Sequence, residues 1–439
     1  MSRMVYGLLA GCLLAGLGRP GLALASDAPG VPAAAPTSAP VPGPAQPPAT
    51  TPSLALAPAP WLLEWDARWR DEQVDDAAFR RAAHADTLRL RVGIRANLCG
   101  GWSGLLAAAG TASTVDRYNS GANGHSQYPA VTDPTGSELD QAWLTWRGSA
   151  FGATLGRQNL QLDNQRWVGN SAWRQYQQTF DALATTWQPN ASLNVQYDWL
   201  NRVHRVAGPD ALNRQARERR LDTHLLNVAW TAGTQRWAGY AYLHDDKDVA
   251  TASTATYGLR WTGSALRDGS GPGWSVEVAR QRQYADNPQH FAHAYWLLEP
   301  TWTQAGVTAR AGWEHLGGNG RHALQTPLAT LHAFNGWDDQ FNVTPAGGLE
   351  DRYLGINGAF ARAGLPGKPL WALTWHDYRA DHGGRYGTEW DAALTVTLLP
   401  GLAGMIKYAD YQARGFGHDS RKLWLQLEWH GQQPLAGVR

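Results

Sequence analysis

The sequence predicts a transmembrane antiparallel β-barrel of about 18 strands, with long extracellular loops and short periplasmic turns. Three observations predict it. From Trp61 onward apolar and polar residues alternate in one segment after another, the period of a strand with two unlike faces. Connections alternate long and short along the chain, as hairpins crossing a membrane require and a soluble sandwich does not. The chain also holds 23 Trp and 15 Tyr, the amphipathic aromatics that form girdles at membrane interfaces. A secreted carbohydrate-binding β-sandwich would share the first and third observations, so loop parity separates the two folds. Net charge is +1, which gives no global field for attracting nucleic acid.

The N-terminus comes first. Arg3 precedes an apolar run over residues 4–17, and Ala23-Leu24-Ala25 offers a small-x-small cleavage site, so residues 1–25 read as an export signal. Leu8-Leu9-Ala10-Gly11-Cys12 also resembles a lipoprotein cleavage box, which would lipidate Cys12 and leave an unusually short signal. With Cys12 removed, Cys99 is the only cysteine and no intrachain disulfide can form. Residues 26–60 interleave Pro with Ala, Ser and Thr, an extended linker with no core-forming pattern.

Folded structure is expected from Trp61, as a barrel over 61–430 with a tail at 431–439. Trp61, Leu63, Trp65 and Trp69 alternate with Glu64, Asp66, Arg68 and Arg70; Leu88, Leu90, Val92, Ile94 and Ala96 alternate with Arg89, Arg91, Gly93, Arg95 and Asn97. The same pattern recurs around Leu259, Ala309, Leu394 and Leu425. Strands are expected to begin near residues 61, 86, 101, 138, 150, 177, 190, 220, 235, 253, 273, 293, 306, 349, 369, 387, 402 and 420. Long connections (71–85, 112–137, 161–176, 202–219 and 317–348) follow odd-numbered strands. Tight ones follow even-numbered strands, with 264–272 and 361–368 as exceptions. The last strand is expected to end at Trp429. No stretch after the signal is long and apolar enough for a transmembrane helix.

The organising stretch is residues 151–183, FGATLGRQNLQLDNQRWVGNSAWRQYQQTFDAL. It reads as a strand, a loop crowded with Arg, Asn and Gln, and a second strand. Such forked donors and amides suit carboxylates and hydroxyl-rich ligands. Four of the 38 basic residues are lysine (Lys247, Lys368, Lys407, Lys422) and the rest arginine, which fits this chemistry and equally a GC-rich coding sequence.

Several strings together resemble the alginate-export family of outer-membrane barrels: DRYNSGANG at 116–124; GRQ at 156–158 and LDNQR at 162–166; Gly169, WRQ at 173–175 and QTFD at 178–181; QTPLATLHAFNGW at 325–337; and KYADY at 407–411. The likeness runs from about Trp61 to Trp429. It implies an eighteen-stranded passive channel of the outer membrane with an arginine-rich pore that passes the polyuronate alginate, in export. Two features depart from the family: the residues after Trp429, where barrels usually finish on a terminal aromatic, and the length of the 26–60 linker.

The candidate ligand-contacting residues follow. Arg89, Arg91 and Arg95 share a strand face expected to point into the lumen, where fixed charge in low dielectric attracts carboxylates. The competing role is to brace the wall by pairing with Glu64, Asp66, Asp198, Glu389 or Asp391. Arg157, Gln158, Asp163, Asn164, Arg166 and Arg174 are expected in or near the third extracellular loop, which by resemblance folds inward as a selectivity zone; otherwise they hold the loop together. Arg310 joins the lumen set. The loop around 326–341 is expected to be a lid or a plug. There is no catalytic motif, no cofactor signature and no metal-ligand spacing among the 14 histidines, whose closest pairs are His290 with His293 and His376 with His382. The expected partners are outer-membrane lipid, an anionic polysaccharide or oligosaccharide, the barrel-assembly machinery and a periplasmic secretion scaffold, for a monomeric channel. A porin taking up oligouronates or small anions remains the alternative function, and the secreted sandwich a third.

Overall fold

The computed structural model describes residues 61–360 and 369–435. The expected signal, linker and Cys12 lie outside them, as does the connection 361–368. The strands are β1 Trp61–Asp76, β2 Ala83–Asn97, β3 Trp102–Arg117, β4 Gly136–Arg147, β5 Phe151–Gln158, β6 Thr179–Trp187, β7 Leu193–His204, β8 Glu218–Ala232 and β9 Gln235–His244. They continue with β10 Thr254–Ser264, β11 Gly271–Gln283, β12 Ala292–Gln304, β13 Val307–Leu316, β14 Leu349–Ala359, β15 Leu370–Arg379, β16 Arg385–Leu399, β17 Leu402–Ala413 and β18 Ser420–Pro434. Each pairs antiparallel with the next, and β18 returns to β1, so the 18-stranded sheet is closed. Closure satisfies the ladder of every strand without a free edge, the condition for strands to cross hydrocarbon.

All 18 strands begin within three residues of the positions read from the sequence. The reason is the two-sided solvent problem. Leu88, Val92 and Ile94 of β2 are exposed on the outer wall while Arg89 between them is buried. The same holds for Leu259, Leu354, Leu425, Leu427 and Trp429, all exposed and all facing out. This outer apolar belt faces lipid.

Three boundaries differ from expectation, one of them at β3, which runs to Arg117 although the connection after it is expected from 112. The first extracellular connection is 77–82 rather than 71–85, because the polar run at its start is strand: Glu72 and Val74 continue the inward face of β1 and are buried. The last strand runs past Trp429 to Pro434, with Gly431 opposite Trp65 and Pro434 opposite Leu62. Polar residues 430–433 give no apolar alternation, but the first turn of backbone in β1 needs ladder partners and they supply them.

The lumen also departs from the polar lining expected of it. Phe180, Leu200, Val203, Leu221, Leu225, Tyr295, Leu297, Leu316 and Leu349 are buried wall residues clustered with Leu160, Leu162, Trp167, Val168, Leu324, Leu328 and Phe341. The latter belong to connections 159–178 and 317–348, so both loops fold into the barrel and pack an apolar core inside it.

Candidate functional site

The two inward loops cross each other in the lumen. Val168 and Leu328 form a parallel bridge, Gly169 N donates to Leu328 O at 2.9 Å and Thr330 N to Gln165 O at 3.1 Å. The Gln178 amide donates to Leu328 O at 2.9 Å. Each loop is also tied to the wall. Trp167 Nε1 donates to Glu277 at 2.8 Å, and Asp163 accepts from Asn227 at 2.6 Å and pairs with Arg236 at 2.6 Å. Arg236 is the second residue of β9, at the periplasmic end, so loop 159–178 reaches more than halfway through the barrel. From the other loop, Trp337 N donates to Asp391 and Asp338 N to Glu389. Gly336, at φ +85°, allows this close approach, because a Cβ there would strike the Tyr378 hydroxyl and the Glu389 carboxylate.

A cationic knot joins both loops to β17 and β18. Lys407 Nζ lies 4.0 Å from the Trp173 ring and 3.9 Å from the Trp337 ring and 2.6 Å from His332 Nε2. His332 stacks on Trp173 at 4.3 Å and its Nδ1 lies 2.9 Å from Asp339 Oδ1. The tautomer that fits carries the proton on Nδ1, donating to Asp339 and accepting from Lys407. Arg174 closes the knot, pairing with Asp339 at 2.8 Å and with Glu72 of the wall at 3.5 Å. Burial works against the charge of Arg174, and Glu72 and Asp339 more than restore it, raising its pKa. Burial pushes the Asp339 carboxyl up, but His332, Lys422 and Arg174 outweigh it and hold it well below the usual carboxylate range. Burial, reinforced by Lys407 and Arg174, holds His332 well below the ordinary imidazole value despite Asp339.

This gives the knot a pH dependence of known sign. The stability from Asp339 is present above the ordinary carboxylate value and is lost only as pH falls below about 4. The His332 contribution is present above about 6.5 and is lost as pH falls through that value, because released loops then take up a proton that the packed site refuses. Between pH 7 and pH 5 the knot is therefore expected to weaken progressively as pH falls below the ordinary imidazole value. Single-channel recordings should show more frequent loop opening at pH 5 than at pH 7, and His332→Gln should flatten that difference. Equal opening at both pH values in the wild type would contradict the assignment.

The candidate residues divide by position. Arg89 is fully buried and pairs with Asp66 and Glu428; Arg91 pairs with Asp66 at 3.4 Å and Asp140 at 3.0 Å; Arg95 pairs with Glu64 at 2.5 Å. All three face the lumen, and each has the bracing partner that was its alternative role. Arg166 pairs with Glu314 at 2.8 Å and holds Asn335 of the opposite loop at 2.9 Å. Arg157 differs from expectation: it shares a face with the exposed Phe151 and Leu155 and pairs with Asp181 near the extracellular end of β5, on the outer wall. The strand simply continues two residues beyond the apolar alternation. Gln158 faces in and is buried, its amide donating to Ala182 O at 3.0 Å.

Arg310 stands apart. Among the described residues it makes no ion pair; its guanidinium reaches Thr374 Oγ1 at 3.5 Å and its Nε is buried without a partner. Its cross-strand neighbour is Gly355, where a Cβ would lie 2.5 Å from that Nε, so the glycine makes the room. Arg310 lines a cavity of about 90 Å³ with Asn164, Glu299, Asn335, Asp351 and Asp391. Asn164 also lines a second cavity of about 400 Å³ with Asp163, Gln196, Arg236 and Arg260, on the periplasmic side of the loops. Sequence reasoning missed the knot residues Trp173, His332 and Trp337, and with them Trp424 of β18, whose ring packs edge-on to Trp173 at 5.6 Å. Only the aromatic content of residues 331–341 hinted that this loop is packed rather than solvated.

The sequence profile of the alginate export family matches residues 62–321. The chain belongs to the alginate export family. Its solved structural neighbours are outer-membrane channels, although no curated protein matches in sequence. They include Pseudomonas aeruginosa OpdK, solved with vanillate (11% identity, TM-score 0.65, 85% of this chain and 99% of that one). Acinetobacter baumannii OccAB3 (12%, 0.67, 85% and 99%) and Pseudomonas aeruginosa OccK9 (13%, 0.68, 85% and 98%) share the fold. Family and closed barrel together place this member in the outer membrane as a multi-pass channel.

Proposed function

We propose that this member of the family is a passive channel for a carboxylate-bearing saccharide, alginate-like, acting in export. Arg310 carries this reading: a lumenal guanidinium with free donors, set in a cavity between wall and loop, is matched to a carboxylate. The other lumenal candidates are already neutralised by acids, so they shape the passage more than they attract through it. Of the candidate set, Asn164 lines the cavity beside it, and Arg157, on the outer wall, takes no part in the passage. A second reading is favoured by the size of the free space. Cavities of about 90 and 400 Å³ fit one small solute better than a freely sliding polymer, which supports uptake of small carboxylates such as oligouronates. The vanillate found in OpdK is of that chemical type.

Planar-bilayer recording decides between them. Polyuronate is expected to block the current where neutral glucan does not. Arg310→Ala should weaken block tenfold or more, the worth of about 1.5–3 kcal/mol for a hydrogen bond to a charged group. Arg95→Ala, near the periplasmic mouth, should change little. Absence of block together with swelling of proteoliposomes in small uronates would favour uptake, and no channel activity would overturn both readings. The partners that export requires, a secretion scaffold in the periplasm above all, would be tested by co-purification. Catalysis forms no part of the proposal.

A further inference from the structure

We propose that His315, Glu350 and Asp381 form a binding site for a first-row divalent metal ion of the zinc type at the extracellular foot of loop 317–348. His315 and Glu350 are cross-strand partners on β13 and β14, and Asp381 comes from the turn between β15 and β16. The donor atoms of the three residues lie within 4.8 Å of one another. His315 Nδ1 is 4.0 Å from Glu350 Oε1 and 3.8 Å from Asp381 Oδ1, too far for hydrogen bonds. Yet His315 is only 4% exposed, and that nitrogen is buried without a hydrogen-bond partner. A buried polar atom left unsatisfied between two carboxylates asks for a ligand.

The surroundings are arranged as a metal site arranges them. The His315 ring lies flat on Trp296, with centroids 3.6 Å apart and planes 10° from parallel, which fixes its direction. Each carboxylate has its second oxygen occupied: Glu350 Oε2 accepts from Arg352 at 2.7 Å and Asp381 Oδ2 from Gly318 N at 3.2 Å. The oxygens nearest His315 Nδ1 are the unoccupied ones. Outer partners of this kind orient ligating groups. Zinc bonds to imidazole nitrogen and carboxylate oxygen run about 2.0–2.2 Å, so two donors on one tetrahedral ion stand roughly 3.3–3.6 Å apart, and a shift of a few tenths of an ångström in each side chain would close these distances onto an ion. One imidazole with two carboxylates suits zinc and its neighbours better than calcium or magnesium, which prefer all-oxygen shells.

The location gives the site a consequence. Gly318 begins the loop that fills the lumen, and Asp381 N also donates to Gly347 O at its far end. A bound ion would therefore clamp both ends of that loop to the barrel wall. The inference stands apart from the transported solute.

The test uses the untagged full chain in detergent, stripped with chelator and titrated with Zn²⁺ by calorimetry, with Co²⁺ absorption as a second probe. One site per chain is expected, with imidazole-type Co²⁺ bands. His315→Ala and Glu350→Gln should each weaken Zn²⁺ binding tenfold or more, while His430→Ala at the opposite end should leave it unchanged. Heat-modifiable gel migration checks folding, and Glu350→Gln serves where His315→Ala fails to fold. A wild type that binds no Zn²⁺ overturns the proposal. So does unaltered affinity in a folded Glu350→Gln protein.

Discussion

Arg166→Ala is expected to cost about 3–5 kcal/mol of barrel stability, the loss seen when one partner of a buried ion pair is removed. Arg166 is 2% exposed and sits at the junction of the two inward loops and β13. Its Nε faces Glu314 Oε1 at 2.8 Å, its NH2 holds Asn335 Oδ1 at 2.9 Å, and its guanidinium lies 4.7 Å from the centre of the Phe334 ring. Glu314 is itself buried and also accepts from Tyr295 at 2.8 Å and Asn335 at 2.6 Å. Removing the cation leaves the buried Glu314 beside Asp351, to which Asn335 is also bonded at 3.1 Å, without its ion-pair partner. The double change Arg166→Met with Glu314→Gln should recover most of the loss, because a buried pair replaced as a pair is close to neutral. Urea titration followed by tryptophan fluorescence measures both, and a single-variant cost below about 1 kcal/mol would contradict the burial argument.

The same residues show what a sequence makes legible. The strand starts were readable because each crossing repeats one local rule, apolar toward lipid and polar toward the lumen. That rule needs only neighbours two residues apart. Loop parity was readable because topology writes it into spacing. The contents of the lumen were not. Val168 and Leu328 meet across 160 positions of chain, and nothing local to either announces the other. The pairing of Arg89 with Glu428 depends on β18 closing onto β1, which the alternation in β2 cannot reveal. Nor could the sequence show that Arg310 lacks an acid, since Glu299 and Asp351 lie on adjacent strands and are already bonded to Tyr353 at 2.5 Å and His376 at 2.8 Å. One local signal was present and went unread. Residues 295–298 of β12, YWLL, and residues 228–230 of β8, VAW, carry apolar side chains on consecutive positions. Two-sided apolar strands mean that the lumen there is packed.

Replacing residues 324–341 with a short Gly-Ser bridge is expected to raise single-channel conductance several-fold. A barrel of 16–18 strands leaves an aqueous channel unless something fills it, and here the filling is loop 317–348 crossed with loop 159–178. The feet of the first loop are zipped independently of its tip: Gly320 N donates to Ala346 O at 2.9 Å and Asn319 N to His322 O at 3.0 Å. Excising the tip therefore leaves the ends anchored. It removes Leu328, Ala329 and Thr330, which hold the other loop, and His332, Trp337 and Asp339, which make the knot with Lys407 and Arg174. Loop 159–178 keeps its wall contacts through Trp167 to Glu277 and Asp163 to Arg236, so the lumen should widen without emptying. Selectivity should change with size, because Lys407, Lys422, Glu389 and Asp391 would then face water. Conductance within twofold of the wild type would mean that ions already pass by a route the loops do not control, and the knot would be a brace of the wall rather than the narrowing of the channel.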